Sequence, residues 1–249
     1  MNYQQIAEYA THLAHKASEA TQYVRKTNLQ AQKKKDGSTV TNGDLASERI
    51  IVEGLRQQFP DIPVVSEEEY SQNPQFVKHE RFWLIDPIDS TSAYVRGSDE
   101  YAICMGLVEN NKPVLGVIAA PALNTVHVGI VPEMISYCID TQGIRSITQT
   151  RLRDPRSMVA VESPTSARVT IPGDNITYVS VHSAIKFTWV AQGLADIYAR
   201  RDWLSEWDIA AGDAIVIAAG GTFTDHQGNT ILYGNPGFLA SPFVAQGRV

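Results

Sequence analysis

The sequence predicts an α+β half over residues 1–150 followed by an α/β half over residues 151–249. Three observations carry this reading. An amphipathic helical pattern opens the chain, β-rich runs separated by turn residues fill the middle, and from about Thr150 strands and helices alternate. With 249 residues the chain buries a sizeable core, as one large domain or two small ones.

The elements follow in order. Ile6, Leu13, Ala17 and Val24 fall on one side of a first helix, with His12 and His15 on its solvated face. A second helix spans residues 41–59. Thr41 and Asp44 make a capping box at its start, and Leu45, Val52, Leu55 and Phe59 share a face. Asp61 and Pro63 break it, and Val64 and Val65 form a short strand ending in Ser66-Glu67-Glu68-Glu69. Residues 82–85 are another strand. Residues 101–109, 113–119 and 125–131 read as successive antiparallel strands, with turns at Asn110-Asn111 and Pro121. In the second half, residues 158–161, 178–181 and 195–198 read as strands, residues 183–193 as a helix and residues 206–219 as an alanine-rich helix.

Composition narrows the function classes. Net charge is −6, and residues 33–35 are the one basic run, read as a charged loop. That balance argues against a nucleic-acid backbone as partner but not against a small phosphorylated metabolite, since metal ions can supply positive charge. The N-terminus is polar and lacks the apolar core of a signal peptide, and no run is long enough to span a membrane. Cys104 and Cys138 have no CxxC partner and read as two buried thiols in a reduced cytoplasm. A cytoplasmic location is the expectation, with peripheral membrane association left open. Oligomeric state is not legible.

The chemistry concentrates in three stretches. In Trp83-Leu84-Ile85-Asp86-Pro87-Ile88-Asp89-Ser90-Thr91, a strand runs into two carboxylates. Pro87 keeps Asp86 extended, residues 87–89 turn, and Ser90 and Thr91 suit a helix N-cap, where bare N–H groups favour a phosphate. A solvated surface turn is the alternative. The second stretch is Ser66-Glu67-Glu68-Glu69, either the solvated start of a loop or helix or the source of one inward carboxylate, with Glu67 the natural candidate. The third is Ser205-Glu206-Trp207-Asp208, readable as a capping box. The small residues that follow, Ala210, Ala211, Ala214, Ala218 and Ala219, let the helix pack closely and place Asp208 at the edge of a deep, dry cleft.

Two carboxylates about 4 Å apart repel by roughly 4 kcal/mol at an effective dielectric near 20. Convergence of Glu67, Asp86, Asp89 and Asp208 therefore calls for a cation. With no Cys or His beside them the site is all oxygen, which suits Mg²⁺ rather than zinc. Two such ions would clamp a phosphate and activate a water.

The stretches WLIDPIDSTSAYVR and EWDIAAGDAIVIAAGG resemble the two signatures of the lithium-sensitive, magnesium-dependent phosphomonoesterases: inositol monophosphatases, fructose bisphosphatases and bisphosphate nucleotidases. Lys35-Asp36-Gly37-Ser38-Thr39-Val40-Thr41, ending at Asp44, and Ser66-Glu67-Glu68 agree in the family's order. The resemblance implies a layered αβαβα sandwich and two magnesium ions, or three. Glu67, Asp86 and the Ile88 carbonyl would ligate the first, and Asp86, Asp89 and Asp208 the second. Thr91, with Asp44 or Glu67, would orient the attacking water. The N–H groups of Ser90 (where glycine is commoner) and Thr91 would receive the phosphate.

The tail resembles most the bacterial 3′(2′),5′-bisphosphate nucleotidase branch, and Ser183, Lys186 and Arg200 would then lie beside the nucleotide. On sequence alone Lys186 reads equally as an exposed helix lysine. The chain departs from that branch at Glu162-Ser163-Pro164-Thr165-Ser166, where Ser-Arg-Ser-His is usual, and at Ser92-Ala93-Tyr94, where Lys-Glu-Phe is usual. The helix after residue 162 is cut short before Pro172. The expectation is release of the 3′-phosphate of 3′-phosphoadenosine 5′-phosphate. The alternatives are an inositol or sugar phosphate at the same metals, or a catalytically weak metal-dependent binding protein.

Overall fold

Asn2 starts the first helix: its side chain accepts from the Gln5 N–H at 2.9 Å, and Gln5 answers in a capping box. The computed structural model describes residues 2–75, 77 and 79–248. Helices α1 (Tyr3–Thr27) and α2 (Asn42–Gln58) flank a hairpin of β1 (Ala31–Lys33) and β2 (Thr39–Thr41). Thr41 and Asp44 form the predicted box at the start of α2. Leu45 departs from the predicted apolar face and is 47% exposed, because it faces a cleft beneath the hairpin beside Val40.

A seven-stranded sheet forms the centre of the first half, in chain order β3 (Val64–Ser66), β4 (Arg81–Asp89), β5 (Ala102–Glu109), β6 (Lys112–Ala120), β7 (Thr125–Ile130), β8 (Ile135–Ile139) and β9 (Arg145–Ile147). The three successive antiparallel strands read from the sequence are β5, β6 and β7. Strands β8 and β9 were not anticipated; they extend the sheet, while β3 pairs parallel to β4. Helix α3 (Glu67–Gln72) connects β3 towards β4. Strand β4 continues past Ile85 to Asp89, with a register shift between Asp86 and Asp89 in place of a free turn. Helix α4 (Thr91–Val95) follows and is only 5 residues long.

The second half builds a five-stranded sheet, ordered β11 (Ile176–Ser180), β10 (Met158–Glu162), β12 (Ile197–Arg200), β16 (Phe243–Gln246) and β14 (Thr222–Thr224). Strands β10, β11 and β12 are parallel, and β16 runs against β12 and β14. A short pair, β13 (Leu204–Ser205) with β15 (Leu239–Ala240), lies beside helix α6 (Glu206–Ala218). Helix α5 (Ile185–Ala191) precedes β12.

The layers follow from burial. Helices α1 and α2 cover one face of the large sheet, with Leu13, Ile51 and Leu55 against Trp83, Ile85 and Ile103. Alternate residues of the same strands, Leu84, Cys104 and Ile118, meet Phe187, Ile209 and Ile215 of α5 and α6. Those helices pack in turn on Tyr198, Phe223 and Phe243 of the smaller sheet. The result is the expected layered sandwich. On its outer face, Ala160 and Ile197 are covered by Val169, Ile171 and Tyr178, and no helix occurs between residues 163 and 175. The shortened helix read from the sequence is thus absent altogether. Both cysteines are buried free thiols. Among the described residues no helix is long and apolar enough to cross a membrane.

Candidate metal centre and substrate cleft

Strand β4 delivers Asp86 and Asp89, and the first turn of α6 delivers Asp208. One carboxylate oxygen from each lies within 4.8 Å of the others, with Asp86 buried and the other two half-buried. The Ile88 N–H donates to Asp86 Oδ1 at 3.0 Å, which fixes the carboxylate inside the turn. Ser205 N–H donates to Asp208 Oδ2 at 3.0 Å, so Asp208 closes the capping box with Ser205 and still reaches the cluster.

Electrostatics separates this cluster from a solvated turn. Burial, then the charge of Glu67, Asp89 and Asp208, holds the Asp86 carboxyl well above the usual range. Burial, then Asp89 and Glu67, does the same to Asp208. Burial raises Asp89 also, against the pull of the Lys186 ammonium. Crowded, desolvated carboxylates of this kind are unfavourable unless a cation joins them. The donor set is carboxylate oxygen, the chemistry of a hard divalent cation, and it fits magnesium.

Glu67 lies outside the close group. It starts α3, and its Oε1 accepts from Lys34 Nζ at 2.7 Å. Glu68, not chosen from the sequence, is the more buried, and Lys34 reaches its Oε1 at 2.7 Å too. Lys34 is therefore no solvated loop residue. Nothing local in the sequence signals this pairing, since its members lie 33 and 34 residues apart.

Thr91 Oγ1 stands 3.0 Å from Asp44 Oδ1 and 3.1 Å from the Ile88 carbonyl. Asp44 is buried beneath the hairpin, which pushes its carboxyl up to about 6 despite hydrogen bonds from Thr41 and Thr91. Ser90 does not cap α4 with its side chain. It takes a left-handed conformation with φ 70°, because the chain must turn sharply from β4 into the helix. A left-handed backbone of this kind costs glycine nothing and strains a residue that carries a Cβ. The N–H groups of Ser90 and Thr91 donate to no protein acceptor among the described residues.

A cleft of about 110 Å³ opens beside the cluster, lined by Asp89, Ser90, Asp208, Ser183, Lys186 and Arg200 and walled by Ser163, Thr165 and Tyr198. Its lining is mostly polar. Lys186 is 3% exposed, so the reading as a surface lysine does not hold. Its ammonium donates to the Val181 carbonyl at 3.0 Å and to the Ser183 carbonyl, and burial pulls its pKa down to about 8. Ala184 N–H donates to Asp89 Oδ2, which ties the Ser183 turn to the carboxylate cluster. Arg200 Nε approaches Asp202 Oδ2 at 3.4 Å, and the Ser166 hydroxyl donates to that oxygen as well. Ser163 and Thr165 belong to the stretch that departs from the nucleotidase pattern, so the departure falls on a cleft wall. Glu206, next to Trp207 and Asp208 in the signature, has a structural role. It is fully buried and accepts the N–H groups of Gly234 and Asn235 at 2.7 and 2.8 Å.

The inositol monophosphatase family model matches residues 2–248. The 3′(2′),5′-bisphosphate nucleotidase CysQ of Salmonella typhimurium strain LT2 is 36% identical over 220 residues, covering 84% of this chain and 88% of that protein. The crystal structure of CysQ from Bacteroides thetaiotaomicron superimposes with a TM-score of 0.76 at 24% identity, over 99% of this chain and 98% of the other. An inositol monophosphatase from Anabaena sp. PCC 7120 gives 0.74 at 21% identity, over 98% and 91%. At these identities the two structures speak for the fold.

Proposed function

The chain belongs to the inositol monophosphatase family, and from that premise we propose that it is a magnesium-dependent phosphomonoesterase releasing the 3′-phosphate of 3′-phosphoadenosine 5′-phosphate to leave AMP. The observation that carries this reading is the convergence of Asp86, Asp89 and Asp208 beside a cleft that Lys186 and Arg200 also line. Carboxylates alone hold metal; cations beyond them suit a substrate with a second phosphate. The named likeness to the Salmonella nucleotidase supports the same substrate.

Asp86, Asp89 and Asp208, with Glu67 and the Ile88 carbonyl, would hold two magnesium ions, or three. Bound there, the metal supplies positive charge to the phosphate oxygens and acidifies water. The chain's own groups do the rest. Thr91, with its proton directed to Asp44 Oδ1, turns oxygen lone pairs toward an incoming water and accepts a hydrogen bond from it. The N–H groups of Ser90 and Thr91 hold a phosphate oxygen, and Lys186 fixes the Ser183 turn while offering its remaining donor to the ligand. Arg200 meets the second phosphate.

The hydroxyls of Ser163 and Thr165 favour a second reading, an inositol or sugar phosphate bound through its own hydroxyls at the same metals. The test of the metal chemistry is Asp208→Asn. Magnesium-supported phosphate release is expected to collapse while the far-UV circular dichroism stays unchanged; undiminished release removes Asp208 from the site.

A further inference from the structure

We propose that Asp202 is a positioning residue for substrate choice, a role that rests on the phosphatase reading and deepens it. Its carboxylate holds Arg200 on one side and the tip of the 163–167 loop on the other, so that the cleft favours a substrate with a second phosphate.

The topology brings these parts together. Strands β10 and β12 are parallel neighbours, with Val161 opposite Tyr198, so their last residues, Glu162 and Arg200, leave the sheet at the same edge. The carboxyl ends of parallel strands are where open α/β sheets bind ligands. Arg200 lines the cleft there, and so do Ser163 and Thr165 from the chain that follows Glu162.

One carboxylate joins them. Asp202 Oδ2 lies 3.4 Å from Arg200 Nε, and the Ser166 hydroxyl donates to the same oxygen. Among the described residues Asp202 is the only carboxylate ion-paired with Arg200. A guanidinium is a rigid planar fork, so a partner at Nε fixes its plane and leaves the terminal N–H groups for a bidentate anion. His226 Nε2 holds the Arg200 backbone by donating to its carbonyl at 2.8 Å. The loop is pinned at its neck as well, where Arg168 pairs with Glu162 through two bonds of 2.7 and 2.6 Å. Within it the Ser163 and Thr165 hydroxyls lie 3.0 Å apart. Cation and hydroxyl wall are thus fastened as one unit.

Asp202 also carries a negative charge, which repels a phosphate. Two facts weaken that effect. Its side chain is 47% exposed and screened by water and salt, whereas that of Arg200 is 16% exposed. Asp202 and Ser166 also stand behind the residues that line the cleft rather than among them. Positioning therefore outweighs repulsion.

The experiment measures Mg²⁺-supported phosphate release by the full chain from two substrates. One is 3′-phosphoadenosine 5′-phosphate; the other is adenosine 3′-monophosphate, which keeps the scissile phosphate and lacks the second one. In Asp202→Ala the KM for the bisphosphate is expected to rise on the order of tenfold. Its kcat is expected to stay within about twofold of the parent's, and the KM for the monophosphate to stay unchanged. Ser166→Ala is expected to raise the bisphosphate KM by about threefold. In an Arg200→Ala background, Asp202→Ala is expected to add nothing, because it acts through the arginine. A bisphosphate KM that stays or falls in Asp202→Ala overturns the proposal. Equal rises for both substrates overturn it too, as do effects of Asp202→Ala and Arg200→Ala that simply add. A parent with no preference for the bisphosphate overturns the substrate reading itself, a separate failure.

Discussion

At Asp213, burial pushes the carboxyl from its ordinary 3.8 up to about 8, with the Tyr233 hydroxyl donating to Oδ2 at 2.9 Å and only partly opposing the shift. Between those two values the folded chain keeps a proton that the unfolded chain releases, so this residue's contribution to stability falls as pH rises through the window. Asp213→Asn keeps an acceptor for Tyr233 and cannot ionise. Its urea midpoint is expected to decline less than the parent's between about pH 5 and about pH 8; parallel declines contradict the account. The same scale shows what single residues disclose in advance. Asp86, Asp89 and Asp208 were legible because acids at a strand end and a helix start need a reason to be there. The Thr41–Asp44 box was legible because its two members are 3 residues apart. Lys34 and Glu68 were not, since their partnership depends on how a hairpin folds over a distant helix.

Helix α6 lies against three glycines in three neighbouring strands. Gly106 is opposite Gly116, and Gly116 is opposite Gly129. A Cβ at Gly116 would fall 2.2 Å from the Ala211 carbonyl oxygen, and one at Gly129 would fall 2.5 Å from the Ile215 Cα. These contacts are with backbone, which cannot swing aside as a side chain can. The close approach brings the first turn of α6, and with it Asp208, down beside the end of β4. Gly116→Ala is expected to lose on the order of 1–3 kcal/mol in urea denaturation through overpacking, and an unchanged midpoint would contradict this packing. Half of this was readable: the alanines of α6 announced a helix with a close neighbour. The glycine row was hidden, because its members are far apart in sequence and align only once the strand register is known. Leu45 failed for a related reason, since periodicity marks an apolar face but not which neighbour leaves part of it uncovered.

Across the whole molecule the two sheets share one helical layer, and the site forms where that layer meets the end of β4. Residues 1–150 supply Asp44, Glu67, Asp86, Asp89 and Thr91, while residues 151–249 supply Asp208, Ser183, Lys186 and Arg200; we propose that neither half catalyses alone. The layered order was foreseeable from strand runs followed by strand–helix alternation. The helix-free length from residue 163 to 175 was foreshadowed only by Pro172, and its start forms the cleft wall where Ser163 and Thr165 stand. That wall faces the same cleft as Lys186 and Arg200. The deciding measurement is phosphate release by the parent protein from 3′-phosphoadenosine 5′-phosphate, inositol 1-phosphate and fructose 1,6-bisphosphate, each with Mg²⁺ and with chelator. The account predicts release that needs Mg²⁺ and is fastest from the nucleotide. Release that survives the chelator, or that is fastest from inositol 1-phosphate, would contradict it.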